Sequence, residues 1–277
     1  MVNGSAGCRL PDGQRASLNT GTDRPNRTDP LYETLAVACR ILAGEGLSRV
    51  STGHVSARTA DGNIAIRGRH SADAGLQFAA VEDILEMTPD GEVLGPPGIS
   101  PPRECHIHLA VLQRRPEVQS VVHVHPRSVI ALSAAGVPFA PIYGAYDPEG
   151  LRLAAGDIAY FPSSRLIDTV DLGREVAETL GDLACCVLHG HGIVTVGASI
   201  EAAVLTAIAM DELARVTWMA AAVGRPQSIT PLDLEALDPV VQALRGEGLP
   251  MAGSPSPTVS GWQHWVERDR SSRRDRS

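Results

Sequence analysis

An α/β sandwich built on a mainly antiparallel sheet is the fold this sequence predicts, on three observations. Helix-like and strand-like stretches interleave from residue 30 to about residue 245, with no long parallel βαβ series among them. An early pair of strands is joined by the turn Ala60-Asp61-Gly62-Asn63, the mark of a hairpin. Hydrophobic residues make up 43% of the 277, and aromatics only 4%, so one domain has material for a mainly aliphatic core.

Residues 1–29, rich in Gly, Ser, Asn, Asp and Arg, read as a disordered tail. Pro30 then opens a helix, in which Leu31, Leu35, Val37, Ala38, Ile41 and Leu42 recur near helical spacing until Gly44 and Gly46 stop it. Residues 51–58 form a loop entering a strand, and residues 64–67 its hairpin partner. A short element over 81–87, a turn at 89–92 and a proline-rich loop at 96–102 deliver the chain to a helix starting at Glu104. Pro116 ends that helix. Glu104 and His108 share its face, whereas His106 points elsewhere.

The run Val121-Val122-His123-Val124-His125-Pro126 reads as a strand closed by proline. Residues 128–135 form a short helix ended by Gly136, 137–143 a proline-interrupted extended segment, 157–161 a strand and 167–180 an amphipathic helix. Strands at 184–188 and 192–197 flank His191. Ser199 caps a long helix to about Val223, with Ala203, Ala207, Met210, Leu213, Ala214 and Trp218 on its buried side. A segment at 231–244 precedes an irregular tail over residues 246–277, which leaves 30–245 as the folded domain.

Successive side chains of a strand point to opposite faces, so His123 and His125 leave the same face and can grip a divalent ion as a pair. A lone histidine is more often a hydrogen-bonding core residue than a ligand. Two on one face, with a third in Gly190-His191-Gly192, shift the reading to a metal site. Glu104 offers a carboxylate nearby. His54 either satisfies its loop or joins the site, and Arg103 either grips a substrate carboxylate or is solvated. His70, His106, His108, His189 and His264 are structural or exposed by default, with His108 nearest to a role.

Several function classes are excluded by composition. There is no lysine among the 24 basic residues, which rules out Schiff-base chemistry through a lysine. A net charge of -8 argues against a general nucleic-acid binder. No apolar run approaches a membrane span and the N-terminus has no signal-like core, so a cytoplasmic protein with five reduced cysteines is expected.

The stretches Thr52-Gly53-His54-Val55-Ser56, Pro101 to Glu104, His123 to Pro126 and His191-Gly192 stand in the order and spacing of the class II aldolase/adducin superfamily, which the chain resembles over about residues 30–225. The resemblance implies a class II aldolase-like α/β/α sandwich, commonly a homotetramer. It implies a divalent metal on His123, His125 and His191, with Glu104 as fourth ligand or acid/base. Sugar-phosphate aldolases of the family carry Gly-Asn and Ser-Ser where this chain has Gly53-His54 and Pro102-Arg103, so phosphate recognition is not expected. The histidine after Gly53 is similar instead to the branch acting on hydroxylated aromatic carboxylates, with Gly53, His54 and Arg103 about the substrate.

Within that branch, the chain length and long irregular ends resemble the bifunctional non-heme iron oxygenases of aminocoumarin biosynthesis. That resemblance implies Fe2+, O2 and oxidative decarboxylation of an aryl 2-oxo acid of the 4-hydroxy-3-prenylphenylpyruvate type, through the mandelate, to a benzoate. A non-oxidative lyase using Fe2+, Mn2+ or Zn2+ has the same ligand needs. A non-catalytic adducin-like interaction module has no need of all four donors.

Overall fold

The computed structural model describes residues 29–95, 97–245 and 257–274. Of the tail expected over residues 1–29, residues 1–28 lie outside them. Asp29 caps the first helix, α1 (Pro30–Gly44), by accepting from the Leu31 N–H, and Pro30 occupies its first turn. The hairpin follows as β1 (His54–Arg58) and β2 (Ile64–Arg67), and β3 (Ile84–Met87) pairs with β2 after a turn of 3-10 helix over 81–83. α2 (Cys105–Arg114) leads into β4 (Ser120–Val124) and α3 (Arg127–Ala135). Then come α4 (Pro148–Ala154), β5 (Ile158–Phe161), α5 (Val170–Leu180), β6 (Cys185–Leu188), β7 (Gly192–Gly197) and α6 (Ile200–Val223). The described chain ends with α7 (Pro231–Arg245) and α8 (Pro257–Arg274).

The seven strands form one sheet in the order β3-β2-β1-β4-β7-β6-β5. Every pairing is antiparallel except β5 with β6. Alternation along the strands divides the core in two. Val55, Val122, Val124, Val187 and Ile193 pack with α1, α3 and α6 on one side. Val121, Leu188, Val194 and Val196 pack with α2 and α5 on the other. This is the mainly antiparallel α/β/α sandwich that the sequence predicts. His123 shares the face of Val121, so the chemistry develops under α2, at the ends of the central strands.

Three local expectations are corrected within the domain. His125 lies beyond the strand, which ends at Val124, and its N–H goes to the Leu47 carbonyl at 2.8 Å. Trp218 is 58% exposed. The buried seam of α6 instead runs through Leu213, Ala214 and Thr217, and Trp218 sits about 100° further round. The helix expected from residue 167 starts at Val170, because Thr169 caps it by accepting from the Leu172 N–H.

The irregular tail expected over 246–277 contains α8. Trp262, Trp265 and Val266 of that helix pack against the α1/α6 layer, and Asp269 pairs with Arg40 at 3.0 Å, both side chains only 6% exposed. An arginine-rich, polar sequence hid a helix that tertiary contact holds. α4 was also not foreseen. Its Asp147-Pro148 start repeats the Asp29-Pro30 signal of α1, with the Asp147 carboxylate accepting from the Glu149 N–H.

Candidate metal centre

Three chain segments bring His123, His125, His191 and Glu104 together. His123 is the one histidine of β4, and its neighbour on β7 is Val194. His191 sits in the turn between β6 and β7, one residue before β7 begins. Glu104 occupies the N-cap position of α2. One donor atom from each of the four lies within 4.8 Å of all the others. The rings of His123, His125 and His191 stand 4.8 to 5.1 Å apart between centroids.

The donor set fits a divalent cation on hydrogen-bonding grounds. His123 lies 2.9 Å from the Ile193 carbonyl through Nδ1, and a carbonyl only accepts, so Nδ1 carries the proton. In the neutral ring Nε2 is then a lone pair, and it faces the cluster. His125 Nε2 approaches it at 3.0 Å. The Glu104 carboxylate lies 3.4 Å from His123 Nε2 and 3.3 Å from His191 Nε2. The backbone N–H of Ile167 donates to Glu104 Oε1 at 3.1 Å and fixes the carboxylate. His191 Nδ1 is buried with no hydrogen-bond partner among the described residues. Three imidazoles and a carboxylate, mutually close and largely shielded from water, suit Fe2+, Mn2+ or Zn2+.

The electrostatics follow from burial and crowding. Burial alone would raise the Glu104 carboxyl, but the neighbouring His123 and His191, and beyond them His54, hold it well below the usual range. Burial, then the neighbouring His123 and His191, pushes His125 down to about 3. Burial and His123 likewise take His108 down to about 3, and burial with His108 and His123 lowers His54 well below its ordinary value.

Close packing requires glycine at two positions. Gly53 holds φ +84, and a Cβ there would lie 3.2 Å from the His123 carbonyl. A Cβ on Gly192 would meet the Val124 carbonyl and come within 2.7 Å of the His125 ring. Gly53 and Gly192 therefore let β1 and the β6–β7 turn press against the histidine strand.

His54 lies directly across from His123 in the β1–β4 pairing, with ring centroids 5.2 Å apart. Arg103 is exposed, one residue before Glu104. His108, structural by default in the sequence reading, is wholly buried and bonded to His54, and its i,i+4 spacing from Glu104 was the available signal. Arg69, which nothing in the sequence singled out, is half-buried on the His125 side and adds positive charge there.

The fold and these four donors define a class: α/β/α sandwiches with a divalent-metal site at the ends of the central strands. The model of the class II aldolase and adducin N-terminal domain matches residues 33–218, and the chain belongs to that family. It is 40% identical over 210 residues to a 3,4-dihydroxyphthalate decarboxylase of Terrabacter sp. (strain DBF63), covering 74% of this chain and 87% of that one. The 3,4-dihydroxyphthalate decarboxylase of Arthrobacter keyseri is 35% identical over 242 residues, covering 85% and 92%. Among solved structures, an L-fuculose 1-phosphate aldolase from Glaciozyma antarctica PI12 superposes with a TM-score of 0.68 at 25% identity, covering 86% and 88%. An aldolase II superfamily protein from Pseudomonas syringae, at 21% identity, shares the fold with a TM-score of 0.72, covering 90% and 95%. Among the described residues, no helix is long and apolar enough to cross a membrane.

His123→Ala and His191→Ala are expected to abolish bound metal, measured by elemental analysis, while circular dichroism stays that of the folded chain. A variant that retains stoichiometric metal refutes the ligand assignment. The metal-free protein is expected to be acid-labile. His108 and His125, with pKa values depressed to about 3, bind fewer protons folded than unfolded below pH 6.5. Stability therefore falls as pH drops from 6.5 toward 3, by up to about 1.4 kcal/mol per pH unit for each histidine. Denaturant melts of metal-free protein at pH 7, 6 and 5 read this directly, and equal midpoints would contradict it.

Proposed function

We propose that this chain is a divalent-metal-dependent decarboxylase of hydroxylated aromatic carboxylates, acting without O2. The observation that carries the reading is the convergence of His123, His125, His191 and Glu104 on one point. The aromatic-acid class is supported by relatives named 3,4-dihydroxyphthalate decarboxylase, 87% to 92% of whose length this chain spans. The oxygenase reading and its Fe2+ draw on the same donors, but the relatives favour the lyase.

His123, His125 and His191 would hold the divalent cation, which would supply Lewis acidity toward the oxygens of the substrate when bound. Glu104, kept ionised by its histidine neighbours, takes the proton of the substrate hydroxyl. Loss of CO2 breaks the ring-to-carboxyl bond and leaves the electron pair on the ring carbon. Glu104 returns its proton there, so the reaction consumes one proton per CO2 released when the carboxylate enters ionised. His54 and Arg103 hold the anionic carboxylate, and Gly53 lets the backbone approach it. The protein works as a homotetramer in this reading.

With 3,4-dihydroxyphthalate under strict anaerobiosis, metal-loaded enzyme is expected to release CO2 and form the dihydroxybenzoate, with turnover unchanged by admitting O2. Turnover that needs O2 stoichiometrically would move the assignment to the oxygenase. Glu104→Gln is expected to lower kcat by about 100-fold or more, and an unchanged kcat removes its proton-transfer role.

A further inference from the structure

Five imidazoles crowd the space between this end of the sheet and α2, yet only three belong to the converging donor set. The fourth, His54, turns Nδ1 toward His108 Nε2 at 2.6 Å. His108 in turn places Nδ1 2.6 Å from Ser56 Oγ. Ser56 and His54 stand two residues apart on β1 and so face α2 together, where His108 meets both. All three are buried: Ser56 and His108 are 0% exposed and His54 2%.

Proton counting along this chain has one solution. The Ser56 hydroxyl carries one proton, and its one hydrogen-bond partner among the described residues is His108 Nδ1. A buried hydroxyl left without an acceptor costs about 1–3 kcal/mol, so Ser56 donates and His108 Nδ1 accepts. His108, wholly buried and bonded among the described residues to His54 and Ser56 but to no carboxylate, stays neutral and carries its proton on Nε2. That N–H donates to His54 Nδ1, and the proton of His54 resides on Nε2. In the reverse order Ser56 Oγ would accept from His108 Nδ1–H, and its own proton would have no acceptor among the described residues. The neighbouring Ser120 does not alter the count, because its hydroxyl donates to the Ser56 carbonyl at 2.8 Å.

We propose that Ser56 and His108 are positioning residues that lock His54 as its Nε2–H tautomer, presenting a hydrogen-bond donor to an anionic substrate oxygen instead of a fourth lone pair to the metal. The device explains how a histidine beside His123 in register stays out of the ligand set. It also makes His54 selective for a group that accepts, such as a carboxylate or phenolate. The substrate half of the inference rests on the decarboxylase reading; the tautomer half stands without it.

Neutron diffraction from crystals of the full chain, with and without Zn2+, locates the exchanged deuterons. The expected result is deuterium on Nε2 of both His54 and His108, none on their Nδ1 atoms, and His54 unligated when Zn2+ is bound. Deuterium on His54 Nδ1, or Zn2+ on His54 Nε2, overturns the proposal. In solution, Ser56→Ala is expected to weaken binding of 3,4-dihydroxybenzoate to the Zn2+-loaded protein about tenfold, and Ser56→Thr to restore it. Unchanged affinity in Ser56→Ala, with wild-type binding present, overturns the positioning role. Failure of the decarboxylase reading would show as absence of CO2 release with the deuteron pattern intact.

Discussion

The bond from His123 Nδ1–H to the Ile193 carbonyl is the constraint on which the site turns. It crosses from β4 to β7, two strands already registered by their own ladder, so the ring orientation is set by the sheet itself. The same bond determines the chemistry, because it leaves Nε2 as the lone pair that a metal needs. β7 begins one residue after His191, so the register that fixes His123 also fixes where the third imidazole arrives. A slip of one residue in this pairing would send His123 to the opposite face.

Around that constraint, close approach and charge are balanced. Gly53 and Gly192 bring backbone against the β4 terminus where any side chain would push the strands apart. The Glu104 carboxylate faces both His123 and His191 and is steadied by the Ile167 N–H, a contact with the segment leading into α5. The α2/α5 layer thus delivers the anion and the sheet delivers the imidazoles. An ion bridging the two would tie layer to sheet. The Ser56–His108–His54 chain is a second connection between the same layer and sheet, hydrogen-bonded and buried.

Much of this was legible in the residues because it rests on short-range rules. Strand periodicity put His123 and His125 together, and glycines flanking His191 marked a tight turn. The His125 detail was off by one residue: the strand ends at Val124, and only the chain's return past Leu47 brings the ring back to the cluster. Hydrogen-bond partners distant in sequence, such as Ile167 for Glu104, leave no local signature. α8 was illegible for a related reason. Its polar, arginine-rich sequence has little apolar periodicity, and its position depends on the α1/α6 surface and on Arg40, 229 residues from Asp269. Trp218 shows the converse error, a large apolar residue assigned to the core by spacing when the seam passes through Thr217.

The family fold hosts several chemistries, so activity is carried by the site, and the site by its three imidazoles. X-ray absorption on the metal-loaded protein counts them directly. The account predicts a first shell of three imidazole nitrogens with oxygen completing it, at about 2.0–2.1 Å for Zn2+, and no sulfur. A shell without imidazole scattering, or one with sulfur or a fourth imidazole, would contradict it.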